Sequence, residues 1–181
     1  MKLNVITGKH PERMPRLLNE LQQQGIKDYQ FWPSIILPSV KKSINLAHKQ
    51  IVEDAYNSGL EEVCIAEDDF KATHPNSWNF YLQNKPPVFD LYLSSVFNGD
   101  LNEQDRVVSF TGLSMYCIHS KFYPTFLTIP EDDHIDVLLG GLGDYHVCNP
   151  FTFIQHNGMS GNTGKVENYD QFFQNRKLYT G

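Results

Sequence analysis

The chain has 181 residues, of which 40% are hydrophobic, 20% are charged and 13% are aromatic. This composition excludes a disordered segment, which would combine low hydrophobicity with high charge, and the length predicts one domain with its own core. The formal net charge of −6 argues against general nucleic-acid binding, because proteins that bind phosphate backbones carry a basic surplus.

The cysteines and the hydropathy of the sequence indicate the cellular compartment of the protein. The three cysteines, at positions 64, 117 and 148, fit neither a disulfide framework nor a C-x-x-C zinc site, and they predict reduced thiols. No apolar stretch is long enough for the core of a signal peptide or for a membrane span of about 20 residues. We therefore expect a cytoplasmic protein without a transmembrane segment.

The first predicted elements form a β-α unit. Residues 3–7 predict a short apolar strand, and apolar residues three and four positions apart over 14–21 predict a helix. Gly25 marks the end of that helix, because glycine is favoured just beyond a helix C-terminus. Residues 29–37 are then predicted to be extended.

A second helix and a buried strand follow. Ser43 is the expected N-cap of this helix and Gly59 its end. The run at 63–66 is apolar without alternation, which predicts a strand covered on both faces, as in a parallel sheet between helices. The βαβαβ order favours an α/β fold with a Rossmann-like first half.

The rest of the chain is predicted to mix strands and helices, with no domain linker. Strand patterns at 107–110 and 115–118 are expected to pair around Thr111-Gly112. The other patterns are helical at 77–83, 120–128 and 134–140, and extended at 89–95 and 151–154.

An acidic triplet, Glu67-Asp68-Asp69, directly follows the strand at 63–66. Ligands of open α/β sheets bind beyond the carboxyl ends of strands, so this is a favoured place for a site. Adjacent carboxylates repel each other by roughly 1 kcal/mol per pair at about 4 Å in water. A divalent cation, Mn2+ or Mg2+, would offset that repulsion and could bridge the phosphates of a nucleotide. A solvated acidic turn is the alternative interpretation, and position alone leaves both open.

Three blocks, taken in their order and spacing, carry a family resemblance. They are residues 4–6 leading to Arg13 and Arg16, residues 43–48 at the start of a helix, and residues 64–70 around the acidic triplet. Together they resemble glycosyltransferase family 25, the lipopolysaccharide-type transferases with a GT-A fold. One departure from the family is that Ala47 stands where it has a serine before the histidine.

The resemblance implies an architecture and an activity. The architecture is one GT-A-like domain over 1–181, a Rossmann-like mixed sheet flanked by helices. Residues 1–100 would form its nucleotide-binding half, and 101–181 would complete the acceptor and metal sites. The activity is metal-dependent, inverting transfer of a hexose from a nucleotide diphosphate sugar, expected to be a UDP-sugar, to a hydroxyl acceptor such as a glycan or lipooligosaccharide. Because the chain is short for this family, a homo-oligomer that completes the acceptor region is left open.

The resemblance also implies roles for particular residues. The general base would be Asp136. The metal ligands would be Asp69, Asp68 and His156. The nucleotide-sugar contacts would come from Thr7, Arg13, His48, Glu67, Asp68 and Gly112.

Other interpretations of these residues remain open. His156 is equally explained as a polar-loop histidine, His48 as a core histidine, Asp136 as a helix cap and Arg13 as a solvated helix residue. The glycine-containing loop at 158–165 is either a closing loop over the donor or a flexible surface loop. A non-catalytic nucleotide-sugar or carbohydrate-binding domain, and a structural protein with a solvated acidic turn, are the alternative functions.

Overall fold

A sheet of seven strands forms the centre of the fold in the computed structural model, which describes residues 1–181. The strands in chain order are β1 (Leu3–Thr7), β2 (Tyr29–Pro33), β3 (Glu62–Glu67), β4 (Phe70–Ala72), β5 (Leu91–Leu93), β6 (Arg106–Val107), β7 (Met115–His119), β8 (Tyr145–Val147), β9 (Phe153–Gln155), β10 (Gly158–Met159) and β11 (Val166–Glu167). The helices are α1 (Met14–Gln23), α2 (Val40–Asn57), α3 (Ser77–Gln83), α4 (Tyr123–Thr128) and α5 (Ile135–Leu138).

The strands of the main sheet lie in the order β2-β1-β3-β7-β5-β8-β6. β1 is parallel to both β2 and β3, so the carboxyl ends of these three strands meet at one edge. Beyond β3 the sheet is mixed, because β7 is antiparallel to β3 and β5 while β5 and β8 are parallel. β4 pairs with β9, and β10 with β11, in two small antiparallel ribbons. The prediction of a single α/β domain with a helix-flanked mixed sheet is confirmed.

The side chains of β3 alternate between two hydrophobic layers. Val63 and Ile65 pack with residues of α2 on one face, whereas Cys64 and Ala66 pack with residues of α1 and α3 on the other. Successive strand residues point to opposite faces, so a strand covered on both sides needs an uninterrupted apolar run. The central strand predicted from that run is confirmed.

Helix α2 begins earlier than the sequence predicts. Its N-cap is Ser39, whose Oγ accepts a hydrogen bond from the N–H of Lys42. Ser43 lies in the first turn, and its Oγ accepts a hydrogen bond from the N–H of Leu37 instead. Proline disfavours helical geometry in the residue before it, so the helix cannot extend back through Pro38 and starts at the first serine after it.

The predicted pairing of 107–110 with 115–118 is wrong. β6 pairs with β8, and β7 lies between β3 and β5. Thr111 instead forms an isolated β-bridge with Asn98. The segment around Gly112 therefore does not form the turn of a hairpin between β6 and β7.

The remaining predicted helices are confirmed. α1 and α3 lie where the apolar spacing places them, and α4 and α5 lie within the two later helical patterns. None of the helices combines the length and apolarity that a bilayer span requires.

Candidate functional site

A pocket of about 460 Å³ opens where the parallel strands β1, β2 and β3 end. Its size lies within the range of small-molecule sites, roughly 300 to 1,000 Å³. Residues that follow each of the three strands line it, and the acidic triplet after β3 forms one wall. Apolar residues that follow β2 and begin α2 also line the pocket, namely Ile35, Ile36, Leu37, Val40 and Ile44. The acidic triplet is therefore not a solvated turn but part of a cavity.

Arg13 joins the two aspartates of the triplet. Its Nη1 donates to Asp68 Oδ1 at 2.6 Å and to Asp69 Oδ2 at 2.9 Å. The N–H of Gly8 donates to Asp68 Oδ2 at 2.6 Å, and Gln155 Nε2 donates to Asp69 Oδ2 at 3.0 Å. Both oxygens of Asp68 are thus occupied, because the end of β1 and the helix that follows it lie beside the end of β3.

Asp69 is the most constrained acid of the pocket. Its residue is 4% exposed, and its Oδ1 is buried without a hydrogen-bond partner. Burial raises its pKa to about 7, and the neighbouring charges of Glu67 and Asp68 add to the rise while Arg13 opposes it. A buried carboxylate oxygen that accepts nothing is costly, and a cation would satisfy it.

Glu67 contacts a buried histidine. His48 of α2 is 1% exposed; its Nε2 lies 3.4 Å from Glu67 Oε1, and its Nδ1 lies 3.0 Å from the hydroxyl of Tyr116. His48 and Glu67 both line the pocket. The family-derived contact residue His48 therefore reaches the site through Glu67, and it is also the core histidine that its helical spacing predicts.

Asp136 and Gly112 lie together on the far wall of the pocket. Asp136 Oδ2 accepts the N–H of Gly112 at 2.7 Å, and Oδ1 accepts the N–H of Val137 at 3.0 Å. Asp136 thus holds the glycine turn in place from the second residue of α5. The N-cap of α5 is His134, so Asp136 does not have the capping role of the alternative interpretation. Its role as a base stays a prediction.

We predict that Gly112→Ala destabilises the protein by about 1–3 kcal/mol, because the added Cβ meets both a positive φ and a ring. Gly112 has φ +92°, and a Cβ there would lie 2.7 Å from Cγ of Phe97. Urea unfolding measures the loss. Gly161→Ala is the matched control in the same pocket, since its Cβ would meet no atom within 4 Å. Equal stability of the two variants would contradict the packing described.

His156 and Thr7 are not brought into the pocket lining. The backbone N–H of His156 donates to the carbonyl of Asp69, but its imidazole Nε2 lies 3.3 Å from Glu20 Oε1. Thr7 Oγ1 donates to the carbonyl of Trp32, between β1 and β2. The ligand set predicted from the resemblance is therefore not assembled, and no group of three or more His, Cys, Asp or Glu side chains forms a ready metal cage.

Several lining residues were missed by sequence reasoning. Gln155, the last residue of β9, reaches Asp69 in place of the histidine that follows it. Strand alternation gives a signal for this choice, because adjacent residues point in opposite directions. No signal was available for the aromatic side chains that close the far end, which are Phe97, Tyr169 and Phe172.

The loop after β10 forms part of the pocket wall. Residues 160–163 line the cavity, and Arg13 Nη2 donates to the carbonyl of Met159. Arg13 thus connects the acidic triplet to the β10–β11 ribbon. The structure places this part of the loop in the pocket lining, and closure over a donor stays a prediction.

Comparisons with known proteins give only distant similarity. No protein-family model matches the chain, and no curated protein matches it. One similar solved structure is a nucleoside-diphosphate-sugar pyrophosphorylase from Vibrio cholerae RC9, with 13% identity and a TM-score of 0.42 over 86% of this chain and 76% of that one. Another is a glycosyltransferase involved in the glycosylation of the major capsid of PBCV-1, with 9% identity and a TM-score of 0.45 over 71% of this chain and 65% of that one. Similarity at this level assigns no family, so the functional argument rests on the pocket.

Proposed function

We propose that this chain is a glycosyltransferase that binds a nucleotide diphosphate sugar, a UDP-sugar, in the pocket at the ends of β1, β2 and β3. It would transfer the hexose with inversion to a hydroxyl of a glycan acceptor such as lipooligosaccharide, as in family 25. The observation that carries the proposal is the unpartnered, buried Oδ1 of Asp69 in the wall of a cavity of about 460 Å³.

The charge of the pocket supports a role for a divalent cation. Five carboxylates line it but only two permanent cations, Lys9 and Arg13. With the histidines neutral, the lining carries up to three net negative charges, so a free diphosphate would be repelled. A divalent cation bound together with the diphosphate would offset this repulsion.

The residues present fit such a cation, but with a ligand set that differs from the predicted one. Mg2+ and the similar Mn2+ are often held by one or two carboxylates together with substrate phosphates. Asp69 Oδ1 and the Glu67 oxygen that does not face His48 are the oxygens available for this, whereas Asp68 remains occupied by Arg13 and Gly8. When bound, the cation would neutralise charge on the leaving diphosphate.

Residues of the protein would position the site and accept the proton of the acceptor. Arg13 keeps Asp68 and Asp69 side by side and holds the β10–β11 ribbon at the pocket. Asp136 is the proposed base for the acceptor hydroxyl, and its hydrogen bonds to Gly112 and Val137 fix its position. Proton removal by a carboxylate requires hydrogen-bond reach of the acceptor hydroxyl. The place of Asp136 in the pocket lining supports this role.

A thermal-shift panel with UDP, GDP and CMP and their sugars, with and without Mn2+, tests the proposal. We expect stabilisation only when UDP or a UDP-sugar is present with Mn2+, by roughly 2.7 kcal/mol at about 100 times the dissociation constant. Release of UDP from the donor then separates a transferase from a binding domain that lacks turnover. No shift with any nucleotide and Mn2+ would refute both.

A further inference from the structure

A buried chain of three side chains leads from the core to the pocket. Tyr116 lies on β7 and is buried completely, His48 lies on α2, and Glu67 ends β3. The tyrosine hydroxyl is 3.0 Å from His48 Nδ1, and the two rings stack with centroids 5.8 Å apart. His48 Nε2 then lies 3.4 Å from Glu67 Oε1.

The chemistry of the three groups favours one tautomer of a neutral His48. Burial raises the pKa of Tyr116 well above its ordinary value, so its hydroxyl keeps a proton to donate. A carboxylate such as Glu67 only accepts. If the hydrogen were on Nδ1 alone, the lone pair of Nε2 would face a carboxylate oxygen. The favoured arrangement is therefore Tyr116 donating to Nδ1, with the ring hydrogen on Nε2, the nitrogen beside Glu67. At 3.4 Å the contact between Nε2 and Glu67 Oε1 is electrostatic and is not an aligned hydrogen bond.

Glu67 depends on this contact for its orientation. Its side chain is 30% exposed, and His48 is its only charged or hydrogen-bonding side-chain partner. A glutamate has three rotatable side-chain bonds, so without a partner it would sample several rotamers. The contact with His48 Nε2 favours the Glu67 rotamers in which Oε1 stays near His48 and the other carboxylate oxygen is free.

We propose that Tyr116 and His48 are positioning residues that hold the Glu67 carboxylate at the pocket in the orientation needed to receive a divalent cation with a nucleotide diphosphate. This inference rests on the proposed function. Residues that orient a metal-binding side chain affect metal affinity by roughly 10- to 100-fold when they are removed. Neither residue needs to touch the nucleotide for this effect.

The binding test compares Tyr116→Phe and His48→Leu with wild type in Mn2+ titrations of the UDP-dependent thermal shift. We expect the Mn2+ concentration at half-effect to rise roughly 10- to 100-fold in both variants. Tyr81→Phe is the matched control, because Tyr81 is also fully buried and donates its hydroxyl hydrogen, to the carbonyl of Tyr92. The control should lose a similar amount of stability but keep the wild-type Mn2+ dependence.

An NMR measurement tests the inference without any ligand. Imidazole nitrogen shifts of wild type in mildly alkaline buffer should show His48 protonated at Nε2, and Tyr116→Phe should perturb those signals. A neutral His48 with its hydrogen on Nδ1 would overturn the inference, as would a Tyr116→Phe variant with wild-type Mn2+ dependence. If wild type binds no UDP with Mn2+, the proposed function fails first, and the NMR result then shows whether the arrangement itself exists.

Discussion

Asp69→Asn is expected to abolish Mn2+-dependent transfer and at the same time to stabilise the fold at neutral and alkaline pH. Loss of the carboxylate removes the oxygen that we propose binds the cation, and such metal chemistry would contribute several kcal/mol, so turnover should fall roughly a thousandfold or more. Stability should rise because Asp69 is 4% exposed and its Oδ1 has no partner. An acid in an exposed turn would change stability by less than about 1 kcal/mol, which is the smaller effect that the sequence alone suggests.

The gain in folding stability caused by Asp69→Asn depends on pH. Burial raises the pKa of Asp69 from 3.8 to about 7 in the folded protein. Because the folded-state pKa is the higher one, the carboxyl supports folding fully below about pH 4, and this support is lost as the pH rises to about 7. Asparagine does not titrate, so the stability difference should grow through that window and reach about 2–4 kcal/mol above it.

Urea unfolding of wild type and Asp69→Asn at several pH values measures this difference. Asp28→Asn serves as the control, because Asp28 is exposed and its replacement should give no growing difference through the window. If Asp69→Asn is less stable than wild type near pH 8, the buried carboxylate of Asp69 does not destabilise the folded protein.

Arg13→Ala is expected to destabilise the protein by about 3–5 kcal/mol near pH 8, because it leaves buried carboxylates without their counter-ion. The Arg13 side chain is largely buried and bonds both Asp68 and Asp69. Since it also holds the carbonyl of Met159, the β10–β11 ribbon should lose protection from amide exchange. Mn2+ should stabilise Arg13→Ala more than wild type, because a cation can replace the missing charge.

A double-mutant cycle with Asp69→Asn isolates the ion pair. In the Asp69→Asn background, the loss of unfolding free energy caused by Arg13→Ala should be smaller by about 1–2 kcal/mol, as expected for residues in direct contact. Arg13→Lys keeps the charge without the forked geometry and should recover only part of the stability. A loss below about 1 kcal/mol for Arg13→Ala would mean that the pair is solvated and that the surface-helix interpretation of Arg13 is correct.

Local periodicity was sufficient to predict much of the fold. The continuous apolar run of β3 and the helical spacing of α1 depend on neighbours in sequence, and both are found where they were expected. Strand partners depend on the whole topology, which explains why β6 and β7 were wrongly paired. The N-cap at Ser39 was missed because two serines precede the apolar helical pattern, and residues 40–43 form a first helical turn that this pattern does not mark.

The site could be predicted in outline but not in its contacts. Position after a buried strand marked the acidic triplet as a candidate site but left a solvated turn open, and the structure shows the triplet in the lining of a pocket. The contact between Arg13 and Asp68 joins residues 55 positions apart, and it follows from β1 lying beside β3. Likewise, the choice between Gln155 and His156 depends on the exact last residue of β9. Such one-residue differences decide which side chain reaches the site.

An anomalous-scattering map from crystals grown with Mn2+ and UDP would show whether a cation binds at Asp69. We predict a manganese peak in contact with the Asp69 carboxylate and with the diphosphate, inside the pocket at the ends of β1, β2 and β3. A peak elsewhere on the protein, or UDP bound in the pocket with no manganese beside Asp69, would contradict the account.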